Sequence, residues 1–372
     1  MSVLTAKRIP SMDGLRAISI VFVLYGHMRL THGFPIRAWK ISHVGGILAA
    51  FGVCLFFVIS GFLITTLILN EKDRFGNVSL RNFYARRSLR IFPAFYVFIC
   101  VAILLRHVGY AHFTNLGLLA SATYWRNLYP FQDVQEWLIG HAWSLSVEEQ
   151  FYLMWPFVVA RLEHRRAIWA AVALVALWPL LRFLRHGFLF AGSGPVALDT
   201  AAGDTIMYGC LLALLARDER HQRWLHRLAR QRAPVYAALS ALLVLYSTCA
   251  WWPAAATFLL PLIRNLALVV FLWWAINNPA AWLGRVLNSP IAVYLGVISY
   301  SLYIWQQVFL FPDQNAWICR FPQNVVAAII AASISYYVIE QPMNRLRARF
   351  AAHAHQPVQR PAATTVQRSP AD

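Results

Sequence analysis

Long apolar runs separated by short polar stretches, most of them arginine-rich, set the plan of this chain. Runs long enough to cross a bilayer recur at 15–33, 46–70, 91–107, 143–160, 167–185, 197–216, 234–252, 256–276, 291–311 and 323–341. A span needs roughly 20 mostly apolar residues, and each run meets or approaches that length. A further segment, 113–125, is shorter and flanked by polar residues. The pattern predicts an all-α, polytopic membrane protein of about ten transmembrane helices. It shows neither an internal repeat nor a second globular domain. Residues 1–345 read as one integral-membrane domain, and 346–372 as a cytoplasmic tail, rich in Pro, Gln and Ala, that is expected to be disordered.

Charge decides the topology. With 113–125 re-entrant or interfacial and the N-terminus inside, 24 of the 33 Lys and Arg fall on cytoplasmic segments, chiefly in 71–90, 161–166, 217–232 and the tail. Letting 113–125 cross moves Arg161, Arg165, Arg166 and the 217–232 stretch outside. The positive-inside rule therefore favours ten spans with both termini cytoplasmic, in the cell (inner) membrane. Composition agrees: 59% of the 372 residues are hydrophobic and 13% charged, which excludes an ordinary soluble domain. The net charge of +18 invites a nucleic-acid partner, but the positive charge flanks apolar runs, so membrane lipids rather than DNA or RNA account for it. Fifteen Trp and fifteen Tyr suit two aromatic belts. Cys54, Cys100, Cys210, Cys249 and Cys319 lack metal-site or disulfide spacing, so packing is their expected role and no metal is implied. The basic N-terminus ahead of an apolar run resembles a signal peptide but has no small-residue cleavage site, so it reads as a retained span.

Ionisable groups inside spans are costly and are functional candidates by default. The first span opens Asp13-Gly14-Leu15-Arg16 and reaches His27, eleven residues beyond Arg16. Eleven residues make three turns plus about 20°, so Arg16 and His27 share one helix face about 16 Å apart. The second candidate is Ser60-Gly61 in mid-span, where helix packing is as good a reading as function. The third is Arg81, Arg86, Arg87 and Arg90; Arg87 and Arg90 are one turn apart and form a guanidinium face suited to phosphate, or simply anchor the loop. The fourth is Trp143-Ser144-Leu145-Ser146-Val147-Glu148-Glu149-Gln150-Phe151-Tyr152. Ser146 and Glu149 have capping-box spacing, whereas Glu148 lies one turn from Ser144 and from Tyr152 and has no capping role. Glu340, before Gln341-Pro342, is a helix-terminal acid whose plainer reading is a partner for a nearby arginine, and Asp199 and Asp204 are similar. A base, acids and an arginine pair are what group transfer requires; a transporter would be expected to show a repeat or paired broken helices.

The motifs in order resemble the acyltransferase-3 family, integral-membrane acyltransferases typified by O-acetylases of bacterial surface polysaccharides. Asp13-Gly14-Leu15-Arg16 with His27, Phe56 to Ile64, Arg87-x-x-Arg90 and Trp143 to Tyr152 carry the likeness. Ser299-Tyr300-Ser301-Leu302-Tyr303-Ile304-Trp305 and Tyr336-Tyr337-Val338-Ile339-Glu340-Gln341-Pro342 complete it, so that it covers roughly 8–345. The family often has His after the Tyr-Leu-Trp of the penultimate motif; here that position is Gln306.

The resemblance implies an enzyme that moves an acyl group, usually acetyl, from cytoplasmic acyl-CoA to a hydroxyl of a glycan or lipid-linked sugar, with no tightly bound cofactor. Some relatives carry a fused soluble domain, for which this length leaves no room. His27 and Arg16 match the family's essential pair, and Arg87 and Arg90 its cytoplasmic arginine motif. His27 is then either general base or acyl carrier, Glu148 orients the imidazole or binds acceptor hydroxyls, and Asp13, Ser60, Glu149, Tyr152 and Glu340 support the site. Acylation of a small secondary metabolite such as a macrolide, and transport of a polar solute, are the alternatives.

Overall fold

The structure, a computed structural model, describes residues 9–35, 39–129, 136–184, 197–232, 235–236, 240, 259–312 and 314–353. Among these residues every regular element is helical and no strand occurs. The helices are α1 (Met12–Met28), α2 (Trp39–Phe75), α3 (Leu80–His107), α4 (Asn115–Ala122), α5 (Trp137–Gly140), α6 (Ala142–Arg161), α7 (His164–Leu184) and α8 (Ala197–Leu215). After them come α9 (Glu219–Arg230), α10 (Leu260–Asn277), α11 (Trp282–Leu287), α12 (Pro290–Val297), α13 (Ser299–Phe309), α14 (Gln323–Ser335) and α15 (Gln341–His353), with a π-helical turn, Tyr336–Glu340, joining the last two.

By length and apolar composition, four segments can each cross a membrane: Gly45–Phe75, Leu80–His107, Leu260–Asn277 and Gln323–Arg347. A fifth counts if α12 and α13, bent by 73° where they meet, form one span. The expected run 291–311 is thus broken at Ile298. The expected run 234–252 lies outside the described residues except at 235, 236 and 240, and Asp199 falls within α8 with its side chain outside what is described. Segment 113–125 holds only the eight-residue α4, about 12 Å long and too short to cross. The last helix continues past the boundary expected at residue 345, to His353.

Helix α2 is the central post. It packs along α1 on one side and α8 on the other. The α2–α8 contact depends on glycine: a Cβ on Gly61 would stand 2.0 Å from the Ile206 carbonyl oxygen, and one on Gly209 2.1 Å from that of Val58. The packing reading of Gly61 is therefore correct, and it turns the neighbouring Ser60 away from that contact and into the interior. On the far side of α1 stand α12, α13 and α14, with α13 and α14 packed together. Phe95, Phe98, Ile20, Leu138, Leu302 and Ile304 fill the space between α1, α3, α5 and α13.

Candidate active site

Between α1, α2, α3, α6 and α13 lies a pocket lined by Arg16, Ser60, Arg87, Arg90, Glu148, Glu149, Tyr152, Ser144, Tyr300 and Tyr303, with apolar walls from Val53, Phe56, Phe57 and Ile59. Seven residues singled out in the sequence therefore meet in one place, although they come from four separate helices. Glu148 is the hub. Its carboxylate accepts short hydrogen bonds from the Ser60 and Tyr152 hydroxyls. It also faces the Arg87 guanidinium at 3.8 Å, and that guanidinium lies over the Tyr152 ring, 3.5 Å from its centre. The i,i+4 relation of Glu148 and Tyr152 places both on the face of α6 that Arg87 covers.

The capping-box reading of Ser146 and Glu149 does not hold. Helix α6 begins at Ala142, with His141 as its cap, so Ser146 lies inside the helix. Its hydroxyl donates to the Ala142 carbonyl at 2.9 Å and accepts the Arg126 backbone N–H at 3.2 Å. Glu149 is thereby released from capping and lines the pocket. Glu340 stands just behind, presented by the π-helical turn; it is 5% exposed and accepts a short hydrogen bond from Ser301. It lies within electrostatic range of Arg90 and Arg16 without an ion pair to either. Asp13 lies in the first turn of α1, where its backbone packs on Gly296 rather than lining the pocket.

His27 occupies the opposite end of α1 and does not line this pocket. Its Nδ1 is 3.1 Å from Oε1 of Gln306. The Gln306 amide nitrogen donates to the Tyr303 carbonyl at 3.3 Å, so Oε1 must be the acceptor. Nδ1 of His27 then carries the proton, and Nε2 keeps its lone pair. The residue at which the chain departs from the family pattern is thus the one that sets the tautomer of the candidate base. Its partner is a neutral amide, so this contact places no counter-charge beside the ring.

A second imidazole repeats the arrangement. His141, 3% exposed, places Nδ1 2.5 Å from Oε1 of Gln307. The same oxygen accepts the backbone N–H of His141 at 3.3 Å, which again leaves Nε2 with the lone pair. The His141 carbonyl accepts from Ser144 (3.1 Å) and Tyr303 (3.3 Å), and those two hydroxyls are 2.5 Å apart. Ser144 and Tyr303 also line the pocket, so they are the join between its arginine end and the histidine end. His141, Gln307, Tyr303 and Ser144 received no role from the sequence. The adjacent glutamines on α13 and the histidine just before Trp143 were the available signals.

A buried ion pair braces the histidine end. Arg126, fully buried, meets Glu136 at 2.5 Å. Glu136 accepts the Thr114 N–H at 3.0 Å and its hydroxyl at 2.7 Å. Burial pushes the Glu136 carboxyl up, but the hydrogen bonds from Thr114 and Arg126 outweigh it and hold the group below the ordinary carboxylate range. The next residue, Trp137, sets its ring edge-on to His27 with centroids 5.1 Å apart. No cluster of His, Cys, Asp or Glu suited to a metal occurs among the described residues.

Comparison with known proteins places this geometry. Across 91% of its length the chain is 28% identical to the peptidoglycan O-acetyltransferase OatA of Listeria monocytogenes, of which the match covers 56%. It is 26% identical, again over 91%, to the O-acetyltransferase OatA of Staphylococcus aureus, of which the match covers 58%. The chain thus spans little more than half the length of these relatives. No solved structure matches it significantly. The apolar helices and the family both mark a membrane protein. The family model described as an acyltransferase domain matches residues 9–339, nearly the whole described chain, and the protein therefore belongs to the acyltransferase-3 family.

Proposed function

We propose that this protein is a membrane-embedded O-acetyltransferase that takes an acetyl group from cytoplasmic acyl-CoA and delivers it to a hydroxyl of a surface glycan or its lipid-linked precursor. The observation that carries this reading is the continuous path from Arg16, Arg87 and Arg90 to the Ser144–Tyr303 pair, with His27 one helical turn of α13 beyond it. Ten spans in the inner membrane with both termini cytoplasmic, the arrangement that keeps 24 Lys and Arg inside, put the arginines at the side where acyl-CoA is made. The names of the relatives favour a glycan acceptor, since one of them acetylates peptidoglycan.

In this reading the guanidinium forks of Arg87 and Arg90 hold the donor's phosphates, with Arg16 beside them. The thioester reaches up to Ser144 and Tyr303. Nε2 of His27 takes the proton of the acceptor hydroxyl as its oxygen attacks the thioester carbonyl. The carbon–sulfur bond then breaks, and the departing thiolate takes the proton from His27. A positioned base of this kind is worth roughly 10²–10⁴-fold. Glu148, engaged by Ser60, Tyr152 and Arg87, fixes the donor-side wall.

The test is transfer itself. Purified full-length protein in vesicles, given radiolabelled acetyl-CoA and a lipid-linked saccharide, is expected to release CoA and label the saccharide in an alkali-labile ester. Labelled acetyl-CoA left intact with every saccharide and peptidoglycan fragment tried would overturn the reading.

A further inference from the structure

The arginine end carries more positive charge than its acids balance. Arg86 pairs with Glu71 at 2.8 Å, and Arg87 with Glu148. Arg16, Arg90 and Arg347 have no carboxylate within ion-pairing distance among the described residues. Arg347 is the unexpected member. It belongs to α15, beyond residue 339 where the family match ends. Helix α15 packs along α3 and carries Arg347 into range of Arg86, Arg87 and Arg90, which it repels.

Helical geometry gives the placement. Glu340 points into the cluster from the end of the π-helical turn. Seven residues later, two helical turns fall short of closing by only about 20°, so Arg347 continues the same stripe about 10 Å further along. Arg347 is half-buried, while Arg345, off that stripe, is exposed. Five arginines (Arg16, Arg86, Arg87, Arg90, Arg347) thus face four carboxylates (Glu71, Glu148, Glu149, Glu340), and guanidiniums in excess cost free energy unless an anion completes them, for which planar forks match phosphate.

The nucleotide end of CoA bears phosphates at two places, a pyrophosphate and a 3′-phosphate on the ribose. With the thioester at Ser144 and Tyr303, the pyrophosphate comes first along the path and the 3′-phosphate last. We propose that Arg347 is a donor-binding residue that grips the 3′-phosphate of CoA at the mouth of the pocket, while Arg87 and Arg90 take the pyrophosphate. This rests on the acyl-CoA reading above.

The experiment is titration of the purified full chain in detergent with CoA and with 3′-dephospho-CoA, followed calorimetrically. Arg347→Gln is expected to weaken CoA about tenfold or more, as loss of a charge-assisted hydrogen bond does, and to leave 3′-dephospho-CoA as in wild type. Unchanged dephospho-CoA binding also shows that the variant is folded, and Arg345→Gln is expected to change neither ligand. Equal CoA affinity in Arg347→Gln and wild type would overturn the assignment, as would an equal loss for both ligands. A wild-type protein that binds neither ligand would instead overturn the donor reading itself, and this subsite with it.

Discussion

The two ends of the site are built from opposite materials. At the arginine end, guanidiniums face carboxylates and a tyrosine ring: Arg87 meets Glu148 and lies over Tyr152. At the histidine end the corresponding partners are neutral, with Gln306 holding His27 and Gln307 holding His141. Permanent charge binds an anion and is of use there whatever its protonation state. A base must keep a free lone pair, and a neutral amide orients the ring without placing a counter-charge beside it. In the proposed reading, the difference separates substrate capture from proton transfer along one path, joined at Ser144 and Tyr303.

The sharpest way to break this division is His27→Ala. If the histidine end does the chemistry, transfer falls by roughly 10²–10⁴-fold while membrane insertion and donor affinity stay as in wild type. Near-normal acetylation by a well-expressed variant would remove His27 from the reaction.

Next in size is the reciprocal change at the other end. Arg87→Lys with Arg90→Lys keeps the charge, and hence the topology signal, but not the bidentate fork. Donor affinity is expected to fall tenfold or more. The response to a saturating donor is the measurement: rates that recover at high acyl-CoA support a binding role, and an unchanged dissociation constant returns the pair to loop anchoring.

Gln306→Leu sharpens the comparison from within the histidine end. It removes the hydrogen bond that orients His27 and leaves the ring in place. One net hydrogen bond is worth about 0.5–1.5 kcal/mol, so kcat is expected to drop about 2- to 12-fold with the donor KM unmoved. A change in KM alone would mean that the two ends are not separable.

The smallest effect on rate at neutral pH is expected from Glu136→Gln, because Glu136 touches neither substrate path. Its signature is in stability. The folded-state pKa of Glu136 lies below the ordinary carboxylate value of 4.5. Its contribution is therefore present above that value and is lost as pH falls through the lower folded pKa. Wild type is expected to lose thermal stability below about pH 4.5, and the Gln variant to lack that part of the slope. Parallel stability curves for the two proteins would count against the buried pair as the brace behind Trp137.

Much of this was legible in the sequence because a bilayer penalises polar atoms so heavily that each one left in an apolar run is informative. Apolar length gave the all-helical class, and helical periodicity put Arg16 and His27 on one face of α1. The relation of Glu148 to Tyr152 and the pairing of Arg87 with Arg90 are likewise i,i+3 or i,i+4 patterns within one helix. What tertiary structure alone decided are relations between helices. The Gly61–Gly209 contact sets which way Ser60 faces. The start of α6 at Ala142 frees Glu149 from capping, and the bend at Ile298 brings Gln306 and Gln307 to two imidazoles. The packing of α15 on α3 delivers Arg347 to the arginine end. Spacing along a chain fixes angles around one helix axis, but which groups meet across axes depends on close packing of surfaces far apart in sequence, and no local periodicity encodes that.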